Sequence, residues 1–320
     1  MMKKWISLFT LAVLLMTGCS NEPESGQMTG VGMLITDTIS DQVWGTKGYK
    51  GMLKIQSEYG VDVFYKERIN SQALAERAVD ELAHKGVNLI FGHGMEYADF
   101  FNKIAPDYPN IHFVSFNGDA KRKNTTSLKF EGHAMGFFGG MTAAHASKTD
   151  TVAVIATFQW QPEVKGFNDG ALYENPNVSV ITEYVNNWDD TETALAVLDK
   201  AIAAGADVIY PAGDGYNVPV IEKVKEHHLQ AIGYVSDQSD LGEETVLTST
   251  VQHVDRLYSL VAGQFAEGTL AAGNVHFDFA DNVISLSPFS ETIDTEFAAD
   301  MEQLITEYKE TGQLPGQKGR

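Results

Sequence analysis

Polar and aromatic residues gather where the chain should turn out of its strands. Thr36-Asp37, Gly92-His93-Gly94, Asn117-Gly118, Phe158-Gln159-Trp160, Asp214-Gly215-Tyr216 and Asp237-Gln238 each follow a short apolar run. Trp44 and Thr46 come after the first of these, at the start of a helix. Carboxylates, amides and aromatic planes at strand ends suit a small flat or hydroxylated ligand, such as a nucleoside or a sugar. The candidate set is therefore Asp37, Trp44, Thr46, His93, Asn117, Trp160, Asp214, Tyr216, Asp237 and Gln238. Core packing is the ordinary role of any one of these aromatics. Their shared place at strand ends is what points to a cleft.

Catalytic chemistry has little support. The sequence contains no G-x-S-x-G, P-loop, H-E-x-x-H or G-x-G-x-x-G pattern. Its nine histidines are scattered. His227 and His228 are adjacent, so on a helix they point about 100° apart and do not chelate one metal. Asp237 has no base or nucleophile at a recognisable spacing. The chain reads as a binder without a cofactor rather than an enzyme.

The elements that must hold these residues repeat. Leu195, Leu198 and Ile202 form one helical face, Gly205 stops the helix, Val208-Ile209-Tyr210 is a buried strand, and Gly213-Asp214-Gly215 is the loop. Earlier, Leu74, Ala78 and Leu82 form a face, Gly86 stops it, Val87 to Phe91 is the strand, and Gly92-His93-Gly94 is the loop. The two units lie 119 residues apart, from Gly86 to Gly205. Strands and helices alternate along the chain at a spacing that implies parallel sheets wound with helices. Ligands of such sheets sit beyond the carboxyl ends of the strands, so the two glycine loops are the first place to look. The run Thr125 to Phe130 is expected to be extended and to cross to a second lobe, and Val246 to Val251 to cross back. The glycines of His133 to Ser147 are expected to let that helix pack closely on a sheet.

With 320 residues the chain has room for two medium domains. Lys3-Lys4, an apolar run from Trp5 to Met16 and Thr17-Gly18-Cys19 make a secretory signal, too short for a comfortable membrane span. Leu15 to Cys19 resembles a bacterial lipobox, in which the cysteine is lipidated and becomes the first mature residue. Cys19 is the only cysteine, which excludes an internal disulfide and any cysteine-cluster metal site. Cleavage before it removes two lysines and no acid, moving the net charge from −20 to −22. Such an acidic chain lacks the basic face that displaces counterions from duplex DNA, so direct nucleic-acid binding is not expected.

Several stretches resemble the basic membrane protein (BMP) family of lipoproteins, which includes purine nucleoside receptors of ABC-type uptake systems. They are Val31-Gly32-Met33 with Asp41 to Gly51, Asn88 to Gly94, Gly132 to Ala144, Gly205 to Ile209, Ile232-Gly233 with Ser236-Asp237-Gln238, and Val246 to Ser249. The resemblance covers the mature chain. It implies an α/β, type I periplasmic-binding-protein fold, with two Rossmann-like lobes, a central cleft and three crossovers. It further implies a lipid-anchored position on the outer face of the plasma membrane, a small-molecule ligand and an ABC permease as partner. The expected division is 1–18 signal peptide, 19–29 lipidated tether, 30–128 with 252–278 as the N-terminal lobe, and 129–251 with 279–320 as the C-terminal lobe. The family's D-x-S-F-N-like motif reads Asp41-Gln42-Val43-Trp44-Gly45 here, and its G-V-D-x-D-Q-like strand end has Val235 in place of the first aspartate. Its lysine stands here as Gln252, which joins the candidate set. These departures imply weak purine nucleoside binding. Within the family the resemblance is nearest to members described as activators of competence gene transcription. The two functions implied are solute binding for a transporter and indirect regulation from the membrane surface.

Overall fold

The computed structural model describes residues 27–40 and 43–317. Cys19, the signal sequence and Asp41-Gln42 lie outside the described residues. The first sheet is built from β1 (Val31–Leu34), β2 (Val63–Lys66), β3 (Leu89–Gly92), β4 (His112–Phe116) and β5 (Thr125–Phe130). The chain then builds a second sheet from β6 (Thr151–Ala156), β7 (Ser179–Tyr184), β8 (Val208–Ala212), β9 (Gln230–Val235) and β10 (Val246–Gln252). It returns to the first sheet for β11 (Gly273–Phe277) and ends in the second with β12 (Ile284–Leu286). The strand orders are β11-β5-β4-β3-β1-β2 and β12-β10-β9-β8-β6-β7, so the two sheets have one topology. Every described pairing is parallel except β10 with β12. The chain passes between lobes three times: after β5, after β10 and after β11. β5 and β10 are thus full sheet members, and the crossings follow them. Helices cover both faces, which is why β1, β3 and β8 are buried throughout.

The repeat is visible in the packing. Helix α2 (Gln72–His84) buries Ala75, Ala78, Val79 and Leu82, and α6 (Thr191–Ala203) buries Ala194, Val197, Leu198 and Ala201. Each pair of equivalent positions is again 119 residues apart. Both faces lie one residue away from part of the sequence expectation. Leu74 is exposed, and Leu195 and Ile202 are half-buried, because the i, i+3, i+4, i+7 stripe is centred on smaller residues. Gly86 and Gly205 follow these helices at φ +79° and +99°, the conformation expected of a glycine stop.

Helices α4 (Gly132–Ala146) and α5 (Pro162–Glu174) touch backbone to backbone. A Cβ on Gly136 or Gly140 would fall 2.1 Å from the carbonyl oxygen of Glu163 or Phe167. Reciprocally, a Cβ on Gly166 or Gly170 would fall 2.0 or 1.9 Å from those of His133 and Phe137. The close approach is therefore helix on helix. Toward the sheet, Gly139 has only ordinary contacts with Thr250 and Ile232.

Candidate functional site

Two helices join the lobes at the strand ends: α1 (Trp44–Tyr59) and α8 (Val254–Ala266), both packed on the first sheet. From α1, Lys47 reaches the second sheet. Its Nζ donates to the carbonyl oxygens of Val235 and Gln252, each at 2.7 Å, at the carboxyl ends of β9 and β10. Burial pulls this ammonium down from its ordinary value to about 8, against the opposing fields of Asp255 and Asp214. The carboxyl ends of the second sheet therefore face α1, and the site lies between them. Val235 accepts this bond from a left-handed backbone, φ +66°, which a β-branched residue rarely adopts. Strain of this kind, roughly 1–2 kcal/mol, persists where surrounding contacts over-determine it.

The glycine loops serve tyrosines. A Cβ on Gly92 would lie 2.3 Å from the ring of Tyr97, and one on Gly213 would lie 2.0 Å from that of Tyr216. Tyr216 is fully buried, and its hydroxyl donates to the Ile155 carbonyl and meets the Thr157 hydroxyl at 3.0 Å. His93 is also buried. Its Nε2 lies 2.8 Å from the Trp44 carbonyl, which only accepts, so Nε2 carries the proton and Nδ1 accepts from the Tyr258 hydroxyl at 2.9 Å. Burial lowers His93 to about 4, so the ring is neutral. Its face stacks on Trp44 with centroids 4.5 Å apart and 14° between planes. Trp44 also donates Nε1–H to the His93 carbonyl and stands edge-on to Phe116. One face of Trp44 is thereby taken up inside the first lobe.

The other candidates divide. Gln238 is buried, with Oε1 accepting from the Tyr234 amide and Nε2 donating to Asn217, so it pins the end of β9. Gln252 is buried and offers its carbonyl to Lys47. Thr46 donates to the Ile39 carbonyl at 3.1 Å. Asp37, Asn117 and Asp237 are exposed at the ends of their strands, and Asp214 is half-buried. Burial raises Glu96, and Asp37 raises it further, which sets two acids side by side on the first lobe. Trp160 is 52% exposed.

Sequence reasoning passed over Lys47 and Trp188. Lys47 sits in a run of helix residues, and its partners lie 188 and 205 positions away. Trp188 follows β7 and stands edge-on to both Phe158 and Trp160. Its strand-end position was the available signal. Two cavities, about 350 Å³ beside His145 and Phe297 and about 720 Å³ beside Asp207 and Lys225, lie on the second lobe away from Lys47. Among the described residues no cluster of His, Cys, Asp or Glu has metal-binding geometry, and no helix is long and apolar enough to cross a membrane.

Residues 28–318 match the family of ABC transporter substrate-binding proteins that are PnrA-like, the Bmp family. The chain belongs to this family. Across 98% of its length it is 52% identical to the transcriptional activator protein Med of Bacillus subtilis strain 168, 99% of which is covered. The crystal structure of a transcriptional activator of the comK gene from Bacillus halodurans matches with a TM-score of 0.85 and 51% identity, over 89% of this chain and 99% of that one. An ABC transporter solute-binding protein from Aeropyrum pernix K1 matches with a TM-score of 0.71 and 22% identity, over 91% and 82%. The Bmp-family chain thus has the periplasmic-binding-protein fold expected from its strand pattern. Family and fold are those of solute-binding proteins.

Proposed function

We propose that this Bmp-family chain is a lipid-anchored protein on the extracytoplasmic face, binding a small solute between its two lobes. The observation that carries the reading is Lys47, which joins α1 to the carboxyl ends of β9 and β10. Ligands of open α/β sheets bind beyond those ends. The lipobox ending at Cys19 supports the anchor, and two acyl chains suffice for stable attachment. Gly45, Val235 and Gln252 lack the polar side chains of the nucleoside-binding pattern, so the solute is not expected to be a purine nucleoside held at micromolar affinity. Asp37, Asp214, Asp237, the exposed face of Trp44 and Trp160 are the proposed contacts, and an ABC permease is the partner that the family suggests.

A second reading is favoured by the identity with Med and with the comK activator. In it the same cleft senses a solute, and the chain raises competence gene transcription indirectly, from the membrane surface. A net charge of −20 disfavours direct contact with DNA. Both readings need a solute. Mass spectrometry of small molecules released by heating the purified chain should show one compound near stoichiometric amount. If preparations from rich medium release none, and a metabolite panel leaves the melting temperature unmoved, the solute-binding reading fails.

A further inference from the structure

We propose that Phe158, Trp160 and Trp188 form a stacking platform for a sugar ring, either a free monosaccharide or the ribose of a nucleoside. The proposal rests on the cleft reading above and names the class of solute. Phe158 lies parallel to Trp160, with centroids 5.7 Å apart and 13° between planes. Trp188 stands edge-on to Phe158 at 5.6 Å and 76°, and to Trp160 at 6.3 Å and 68°. All three follow the carboxyl ends of β6 and β7, the edge of the sheet that meets Lys47 two to three strands away.

An aromatic side chain left half in water is ordinarily found on a compliant loop. This loop is held rigid. Gln161 is buried, and its Oε1 accepts from the amides of Thr157 and Phe158, each at 2.7 Å. Its Nε2 donates to Glu163 at 2.9 Å and to the Ala212 carbonyl at 3.0 Å. Glu163 is itself buried and accepts from the Tyr234 hydroxyl at 2.8 Å. One buried amide thus fixes residues 157–161 to β8 and β9 while Trp160 stays out. Fixing an exposed apolar plane in this way removes the ordering cost of binding a ligand to it.

The surroundings select the ligand. Gln159, Asn186, Asn187 and Asp189 are exposed on the same two loops and offer amides and a carboxylate around the rings. Planar polar groups around an apolar face suit a ring with C–H groups on its face and hydroxyls at its edge. The facing loop of the first lobe carries Asp37 and Glu96, and Asp214 and Asp237 lie at neighbouring strand ends. Acidic lips repel phosphorylated and carboxylated rings and leave neutral sugars.

Fluorine NMR of the ligand-stripped chain carrying 5-fluorotryptophan tests this, with D-ribose, D-galactose and adenosine as separate probes at millimolar concentration. A sugar should move the Trp160 and Trp188 signals. Trp160→Ala should weaken that binding by about 5- to 150-fold, the range of aromatic stacking. Trp160→Phe should restore most of it, and neither change should alter the melting temperature. Ribose and adenosine binding alike would identify ribose as the recognised part; galactose alone would identify a free hexose. Equal affinity in wild type and Trp160→Ala overturns the platform and leaves the cleft reading standing. So does the failure of all three probes while a co-purified solute is found. Adenosine binding that moves only the Trp44 signal overturns the sugar class.

Discussion

The two lobes share one topology and treat their strand ends in opposite ways. In the first lobe the aromatics turn inward: Trp44, His93, Phe116 and Tyr258 stack or meet edge-on in one cluster. In the second, Phe158, Trp160 and Trp188 turn outward. The fourth strands differ in the same sense. Beyond β4 the left-handed residue is Asn117, at φ +54°, where asparagine is at ease; at the end of β9 it is Val235, at +66°, where valine is strained. One lobe uses its strand ends to hold itself together, and the other presents them. A duplicated architecture thus needs recognition chemistry on only one side of its cleft, provided the other side is stiff.

The contrast breaks most visibly at His93. Replacing it by alanine removes a buried ring and leaves the Tyr258 hydroxyl and the Trp44 carbonyl unmatched. The expected loss is about 3–4 kcal/mol of folding stability. Urea denaturation measures it, and a loss under 1 kcal/mol would show that the inward cluster does not hold the lobe.

Acid gives the next largest effect. Burial lowers His93 from its ordinary 6.5 to about 4. Between these values the unfolded chain binds more protons than the folded one, so stability is full above pH 6.5 and is lost as pH falls toward 4. For His93 alone the loss is about 3 kcal/mol. His112, on β4 of the same lobe, is lowered to about 4 by burial as well. The second lobe's His133 and His145 instead face Asp169 and the pair Glu174 and Asp294. Hydrogen exchange at mildly acid pH should therefore open the first lobe before the second. The reverse order would contradict the assignment.

Tyr258→Phe is the smallest and cleanest change. It removes one donor to His93 Nδ1 and keeps the ring. The expected cost is about 1 kcal/mol, with solute affinity unchanged by calorimetry. A large loss of affinity would make the inward cluster part of the binding surface.

How much of this was legible in the sequence follows from the range of each interaction. The strand–helix alternation, the glycine stops and the 119-residue repeat are local, and they predicted the architecture. Which way a strand-end side chain turns is not local. Once a residue leaves the strand, period-two alternation no longer fixes its side, so His93, Tyr216 and exposed Trp160 looked alike. The small face of α4 was plain, but composition alone does not say whether it meets a sheet or another helix. Lys47 had no signal, because both of its acceptors are backbone carbonyls and any sequence supplies those.

Lys47 also ties the shape of the molecule to the solvent's acidity. In water its ammonium has a pKa near 10.4, and between the lobes it falls to about 8. When the lobes close at mildly alkaline pH, the strand ends therefore expel a proton into the buffer. The heat of solute binding should then differ between Tris and phosphate, in proportion to their ionisation enthalpies. Repeating the titration across pH would count the released protons, so a calorimeter could report lobe closure without any label on the protein.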